Sequence, residues 1–161
     1  MKKVYLVLLM ILTIISACKG NDTPEKGSYS PLSKEECQTV QANLEKTFNI
    51  KFDFSESKSY DNVKGKGCLL EAKGTGVNFS TDTESKMQGI IGWTEQDANF
   101  AAGGATGTQI GLKNGNKLAI YSVNWEPASD VKCPDDKPIY ECEIEPSKKN
   151  YTVVVWMGLL N

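Results

Sequence analysis

Residues 108–125, TQIGLKNGNKLAIYSVNW, contain the strongest indication of the fold. Two runs rich in β-forming residues, Thr108–Lys113 and Asn116–Trp125, flank an Asn-Gly pair. Asn-Gly accommodates the positive φ angles of a type I′ turn. The segment therefore predicts an antiparallel hairpin that turns at Asn114 and Gly115.

Toward the N-terminus, the apolar residues recur at helical intervals. Ser33 and Glu36 have the spacing of a capping box, and Leu32 is placed as a hydrophobic staple. The apolar residues that follow at this spacing are Cys37, Val40, Leu44 and Phe48. This pattern predicts a helix over Lys34–Thr47.

Shorter patterns predict the remaining elements. Alternation through Ile50, Phe52 and Phe54 indicates one half-buried strand, and Gly67–Lys73 indicates another. A short helix is also predicted, with Thr81 and Glu84 at the spacing of a capping box. Its apolar positions are Met87, Ile90 and Ile91, and Gly92 ends it. Two later strands are predicted at Ile139–Ile144 and Tyr151–Met157, with Val153–Trp156 in a central strand.

The predicted fold class is α+β, because strands and helices do not alternate regularly along the chain. We expect a twisted antiparallel sheet of about five to six strands, with the N-terminal helix packed on one face and a short second helix. The glycine-rich segment Ala101–Gly111 lacks the Lys and Ser or Thr of a phosphate-binding loop and is interpreted as a bulged or closely approached strand start.

The chain contains five cysteines. If Cys18 is set aside, the other four form an even set suited to two disulfides in an oxidising compartment, and they allow three pairings. Cys133 and Cys142 flank a short loop, so we favour a local bridge there and a second one between Cys37 and Cys68. A structural role is favoured over a redox role because no C-x-x-C spacing occurs.

The first residues have the layout of an export signal, with Lys2 and Lys3 before an apolar run from Val4 to Ile15. That run has 12 residues, whereas a spanning helix needs roughly 20. Residues 15–18, Ile-Ser-Ala-Cys, resemble the lipobox of bacterial lipoproteins. The resemblance implies a signal peptide over residues 1–17 and a lipidated Cys18 that anchors the chain in a membrane of the cell envelope. The outer membrane is favoured over the inner one.

Polar, Gly- and Pro-containing sequence then predicts a flexible tether over residues 18–32, followed by a single disulfide-bonded domain over residues 33–161. All 18 basic residues are lysines, since the chain contains no His and no Arg. Ser-His-Asp and Cys-His catalysis and His-containing zinc sites are therefore excluded. The balance of 18 basic and 20 acidic residues disfavours nucleic acid as a partner, and we expect no metal and no cofactor.

Two regions are candidates for contact with a partner. Acidic residues lie around the Cys133–Cys142 loop, namely Asp135, Asp136, Glu141 and Glu143. Trp93, just after a predicted helix stop, is the tryptophan best placed for a cleft, whereas Trp125 and Trp156 are expected in the core.

These observations favour a lipid-anchored, non-enzymatic interaction protein of the cell envelope. One form of this hypothesis is an inhibitor or immunity-type protein whose acidic loop enters a basic cleft of an envelope protein. The alternatives are an enzyme that acts on glycan through paired carboxylates and a structural or assembly component of the envelope.

Overall fold

The computed structural model describes residues 27–79, 82–134 and 137–161. Within these residues, two helices pack on one face of an open antiparallel sheet of seven strands, which confirms the α+β class. The helices are α1 (Lys34–Phe48) and α2 (Thr83–Ile91). The strands are β1 (Tyr29–Pro31), β2 (Asp53–Lys58), β3 (Gly67–Thr75), β4 (Glu95–Gly104), β5 (Gly107–Asn114), β6 (Lys117–Pro127) and β7 (Lys149–Leu160).

The sheet has the strand order β2-β3-β7-β6-β5-β4, and β1 pairs with the last residues of β7. β7 lies between β3 and β6, as its apolar sequence predicted, and its residues Val153, Val155, Trp156 and Met157 are fully buried. Tyr29–Pro31 was expected inside the tether. It forms a strand opposite Gly158–Leu160 instead, so the sheet begins earlier than residue 33.

α1 begins with the predicted capping box. The Glu36 backbone N–H donates to Ser33 Oγ (3.2 Å), and the Ser33 N–H donates to the Glu36 carboxylate (3.3 Å). The helix ends one residue later than predicted, where Asn49 adopts a left-handed conformation with φ 50°. Cys37, Leu44 and Phe48 all point into the core between α1 and the sheet. α2 ends at Gly92 as predicted, and its N-cap is Asp82, while the proposed cap Thr81 lies outside the described residues.

The opposite face of the sheet carries a smaller cluster around Trp156. The indole is fully buried with Leu118 and Ile120, and its Nε1–H donates to the Lys58 carbonyl (2.9 Å). A Cβ at Gly67 would lie 2.3 Å from the indole ring, so a glycine is required where the two strands meet. The burial of Trp156 agrees with the sequence-based expectation.

Both predicted disulfides are confirmed by the structure. Cys37 and Cys68 join α1 to β3 with Cα atoms 6.5 Å apart, and both residues are buried. Cys133 and Cys142 close the loop between β6 and β7 with Cα atoms 6.0 Å apart.

Two local predictions were wrong, and one strand was not predicted. The β5–β6 turn was predicted at Asn114 and Gly115, but it is centred on Gly115 and Asn116, because Asn114 pairs with Lys117. Of the two central residues, only Gly115 has a positive φ angle, so the turn is of type II′ and not of type I′. Ile139–Ile144 was predicted as a strand, but Ile139–Glu141 forms a short 3-10 helix. This segment lies between two prolines, and the Cys133–Cys142 disulfide constrains it.

The third difference is β4, which the sequence did not predict. Its pairing with β5 shifts between Asp97 and Ala102, so a bulge lies just before the glycine-rich segment. Phe100, inside the bulge, turns back against the Trp156 cluster. The bulge thus begins before Ala101–Gly111, and this segment itself forms the end of β4, a turn and the start of β5.

Candidate functional site

A groove of about 390 Å³ lies between α1, α2 and the ends of the sheet strands that support them. We refer to it as the inter-helix groove. Its apolar lining consists of Leu32, Val40, Ile90, Ile91, Trp93 and Met157. Its polar rim consists of Ser33, Glu35, Glu36, Thr39, Asn43 and Lys117.

The capping box of α1 positions the charged part of the rim. Glu36 accepts from Ser33 and forms an ion pair with Lys117, which extends from the first residue of β6. The hydrogen bond from Lys117, followed by that from Ser33, holds the pKa of the Glu36 carboxyl below its usual range. Glu36 is therefore a fixed carboxylate whose charge is balanced by a neighbouring lysine.

Glu35 differs from Glu36, although both lie in the first turn of α1. Its side chain is exposed, and its carboxylate has no ion pair within the described residues. Successive residues on a helix point about 100° apart, so the two side chains leave α1 in different directions.

Trp93 forms one wall of the apolar part of the groove. α2 ends with Gly92 in a left-handed conformation (φ 70°), and the Gly92 N–H donates to the Gln88 carbonyl (2.8 Å). The chain reverses at this cap, which places Trp93 against the core in a half-buried position. The structure thus places the tryptophan that the sequence selected beside a cleft. The residues that α1 contributes to that cleft were not selected from the sequence.

The acidic region at the Cys133–Cys142 loop lies elsewhere. It follows the last residue of β6, whereas Lys117 of the groove is the first residue of that strand, roughly 33 Å away along the strand. Glu141 and Glu143 are exposed there. Asp135 and Asp136 lie outside the described residues, as does Cys18. The structure therefore does not bring Glu141 or Glu143 together with Trp93.

The described residues contain neither a cluster suited to a metal ion nor a free thiol. No group of three or more Cys, Asp or Glu within them could hold a metal ion. The four cysteines among them are consumed in disulfides. In the same part of the chain, no helix combines the length and apolarity needed to cross a membrane.

Trp125 was expected in the core, but it is only half-buried and Lys149 Nζ lies 4.6 Å from its ring centroid. Trp125 borders a second depression, which shares no lining residue with the inter-helix groove. No family model matches the chain, and searches among curated proteins and among solved structures found no match either.

Proposed function

We propose that this chain is a lipid-anchored, non-enzymatic binding protein of the cell envelope, and that its inter-helix groove takes a segment of a protein partner. The observation that carries the proposal is an apolar cleft with Trp93 in its wall and hydrogen-bonding groups at its rim. Binding sites commonly combine an apolar lining with a few placed polar groups. Tryptophan is among the residues that most often dominate the energy of an interface.

The charges of the rim specify the chemistry of the partner segment. Glu36 and Lys117 neutralise each other, whereas Glu35 remains an exposed carboxylate beside the cleft. The rim therefore carries a net negative charge. It favours a segment in which an apolar side chain enters the groove and a neighbouring Lys or Arg reaches Glu35.

The proposed anchor would hold the groove near the membrane. Leu32 lines the groove and directly follows β1, so the groove lies where the chain enters the domain. The nine residues from Cys18 to Lys26 span at most about 32 Å when fully extended. A partner embedded in, or held at, the same membrane fits this reach.

A site-specific crosslink in the envelope tests the groove. The full chain is produced in a bacterial host with the photoreactive residue p-benzoylphenylalanine at exposed Thr39 on the rim, or at exposed Glu56 on β2 as the matched control. We expect a discrete protein adduct from position 39 alone. The crosslinked peptide should contain an apolar residue next to Lys or Arg.

The variant Glu35→Lys supplies the decisive comparison. Reversal of the exposed charge should remove the adduct at position 39 without a change in the circular dichroism spectrum. Glu56→Lys makes the same charge change on the edge strand β2, outside the groove lining, and should leave the adduct intact. Equal adducts from both crosslinker positions, or an adduct that survives Glu35→Lys, would contradict the groove as the binding site.

The anchor and the absence of catalysis are tested separately. An alkyne analogue of palmitate should label the wild-type chain in the bacterial host and should not label Cys18→Ala. The purified mature protein should release no reducing ends from peptidoglycan over hours. Label on Cys18→Ala would contradict the lipidation site, and released reducing ends would favour the carboxylate enzyme instead.

A further inference from the structure

A second depression, of about 310 Å³, lies at the opposite end of α2 from Trp93. We refer to it as the hairpin hollow, since the β4–β5 hairpin forms one side of it. The two aromatic side chains in its lining are Trp125 and Tyr151, and Glu84 from the first turn of α2 supplies a carboxylate. Glycines of the β4–β5 hairpin, including Gly104 and Gly107, leave backbone exposed along the other side.

The register of the sheet places the two aromatic rings side by side. Trp125 of β6 is directly opposite Tyr151 of β7, so both side chains emerge on the same face. Phe79 packs against Tyr151 with ring centroids 5.8 Å apart, and this contact supports the ring from the core side. The two rings thus form a supported apolar platform at the edge of the core.

Two polar side chains of the hollow, Tyr151 and Glu84, are available to bind a ligand. Within the described residues, the Tyr151 hydroxyl makes no hydrogen bond and the Glu84 carboxylate makes no ion pair. β4 is the last strand of the sheet, so the outward backbone groups near Gly104 have no neighbouring strand. The hollow therefore combines an aromatic platform with a free hydroxyl, a carboxylate and nearby backbone of an edge strand.

The charges at the hollow disfavour a cation on the Trp125 ring and an anion beside Glu84. The Lys149 ammonium group lies 4.6 Å from the Trp125 ring centroid, is not part of the lining, and opposes a second cation at the same ring. Glu84 opposes an anion. A neutral ligand with a flat apolar face and several hydroxyl groups satisfies the platform and the polar groups together.

We propose that the hairpin hollow binds a neutral saccharide unit, which stacks on Trp125 and Tyr151 while its hydroxyl groups donate to Glu84 and bond with the exposed backbone of β4. This site lies outside the inter-helix groove and does not depend on the function proposed for it. A saccharide site would give the anchored domain a second attachment within the envelope.

Binding of a defined sugar to the full chain tests the proposal. The probe is the trimer of N-acetylglucosamine, with the trimer of glucose in a parallel titration, and the readout is the indole N–H signals in nitrogen-15 spectra. The signal of Trp125 is assigned with Trp125→Phe. We expect a saturable shift of that signal with at least one of the trimers, while the signal of Trp93 in the inter-helix groove stays in place.

Two exposed positions provide variants that preserve the fold. Glu84→Gln should weaken binding about tenfold or more, because it removes hydrogen bonds to a charged group. Ala105→Trp, in the lining of the hollow, should abolish binding by filling the space. Tyr151→Phe keeps the platform and should weaken binding less than Glu84→Gln.

Three outcomes would overturn the proposal. The first is the absence of a saturable shift with either trimer at about 10 mM, which would mean that any binding is weaker than millimolar. The second is binding that Glu84→Gln and Ala105→Trp leave unchanged. The third is a shift of the Trp125 signal by tetramethylammonium that depends on Glu84, since this would identify a cation site. None of these results alters the crosslinking test of the inter-helix groove.

Discussion

Removal of the Cys37–Cys68 disulfide should produce a large loss of stability. The bridge joins residues 31 positions apart and links α1 to the second strand from one edge of the sheet. The chain-entropy relation for a loop of this size gives about 3.7 kcal/mol at 25 °C. Both residues are buried, so the double variant Cys37→Ala/Cys68→Ala also loses packed sulfur atoms. We expect the free energy of unfolding to fall by about 4 kcal/mol.

The assay is guanidinium unfolding, followed by far-ultraviolet circular dichroism under non-reducing conditions. The matched control is Cys133→Ala/Cys142→Ala, which opens a bridge between residues only 9 positions apart. The same relation gives about 2.6 kcal/mol for that loop. The buried bridge should therefore cost more than the local one, and its removal should lower the melting temperature by roughly 10–15 °C.

The comparison between the two variants can refute this reasoning. If opening the Cys37–Cys68 bridge costs less than about 1 kcal/mol, or less than opening the local bridge, loop length does not determine the effect. α1 would then be held on the sheet by side-chain packing alone. A fall of several kcal/mol would instead place the bridge among the main constraints on the helix that forms one wall of the inter-helix groove.

Three further predictions concern the bulge and α2. The ammonium group of Lys113 lies 2.7 Å from the Asp97 carboxylate, and its hydrogen bond lowers the pKa of that carboxyl. The ion pair therefore stabilises the fold fully above the pKa of the carboxyl in the unfolded chain, about 3.9. This stabilisation disappears as the pH falls through the lower pKa of the folded state. Asp97→Asn should therefore cost about 2 kcal/mol at pH 7 and progressively less toward pH 2, as measured by urea midpoints. Gly111→Ala should destabilise the protein by about 1–3 kcal/mol in thermal unfolding, because its Cβ would lie 2.8 Å from Phe100 Cβ. Gly89→Ala, in the exposed middle of α2 with no atom within 4 Å of the new Cβ, should stabilise it by about 0.5–1 kcal/mol in the same assay.

Elements fixed by local interactions were predictable from the sequence. The capping box between Ser33 and Glu36 and the helical spacing of the apolar residues after it define α1 within one residue at its C-terminal end. Gly92 likewise marks the end of α2, because it supplies the left-handed conformation of a C-cap. These signals act within one or two turns of the chain, so no distant partner is needed to read them.

Elements fixed by neighbouring strands were not predictable in the same way. β4 contains mostly exposed small and polar residues, so it has no alternating pattern, and its conformation depends on pairing with β5. The opposite error occurred at Ile139–Ile144, where apolar residues alternate but no strand is available to pair with them and the local disulfide closes the segment. Alternation predicts a strand only when the sheet has a place for it.

The two candidate sites show the same distinction. Trp93 could be selected because the helix stop before it is a local signal, but its neighbours Val40 and Met157 are brought to it by the packing of α1 and by β7. The hairpin hollow depends on the register that sets Trp125 opposite Tyr151, and this register cannot be read from either strand alone.

α2 connects these sites, since Glu84 in its first turn borders the hollow and Ile90 and Ile91 at its C-terminal end border the groove. Its nine residues are about 14 Å long, so the two sites lie near opposite ends of one short helix. The helix is held on the sheet by Met87, which is fully buried, and by the hydrogen bond from Gln88 to the Tyr121 hydroxyl (3.2 Å). A change at either of these two residues should therefore disturb both sites, whereas a change at either end of α2 should disturb only one.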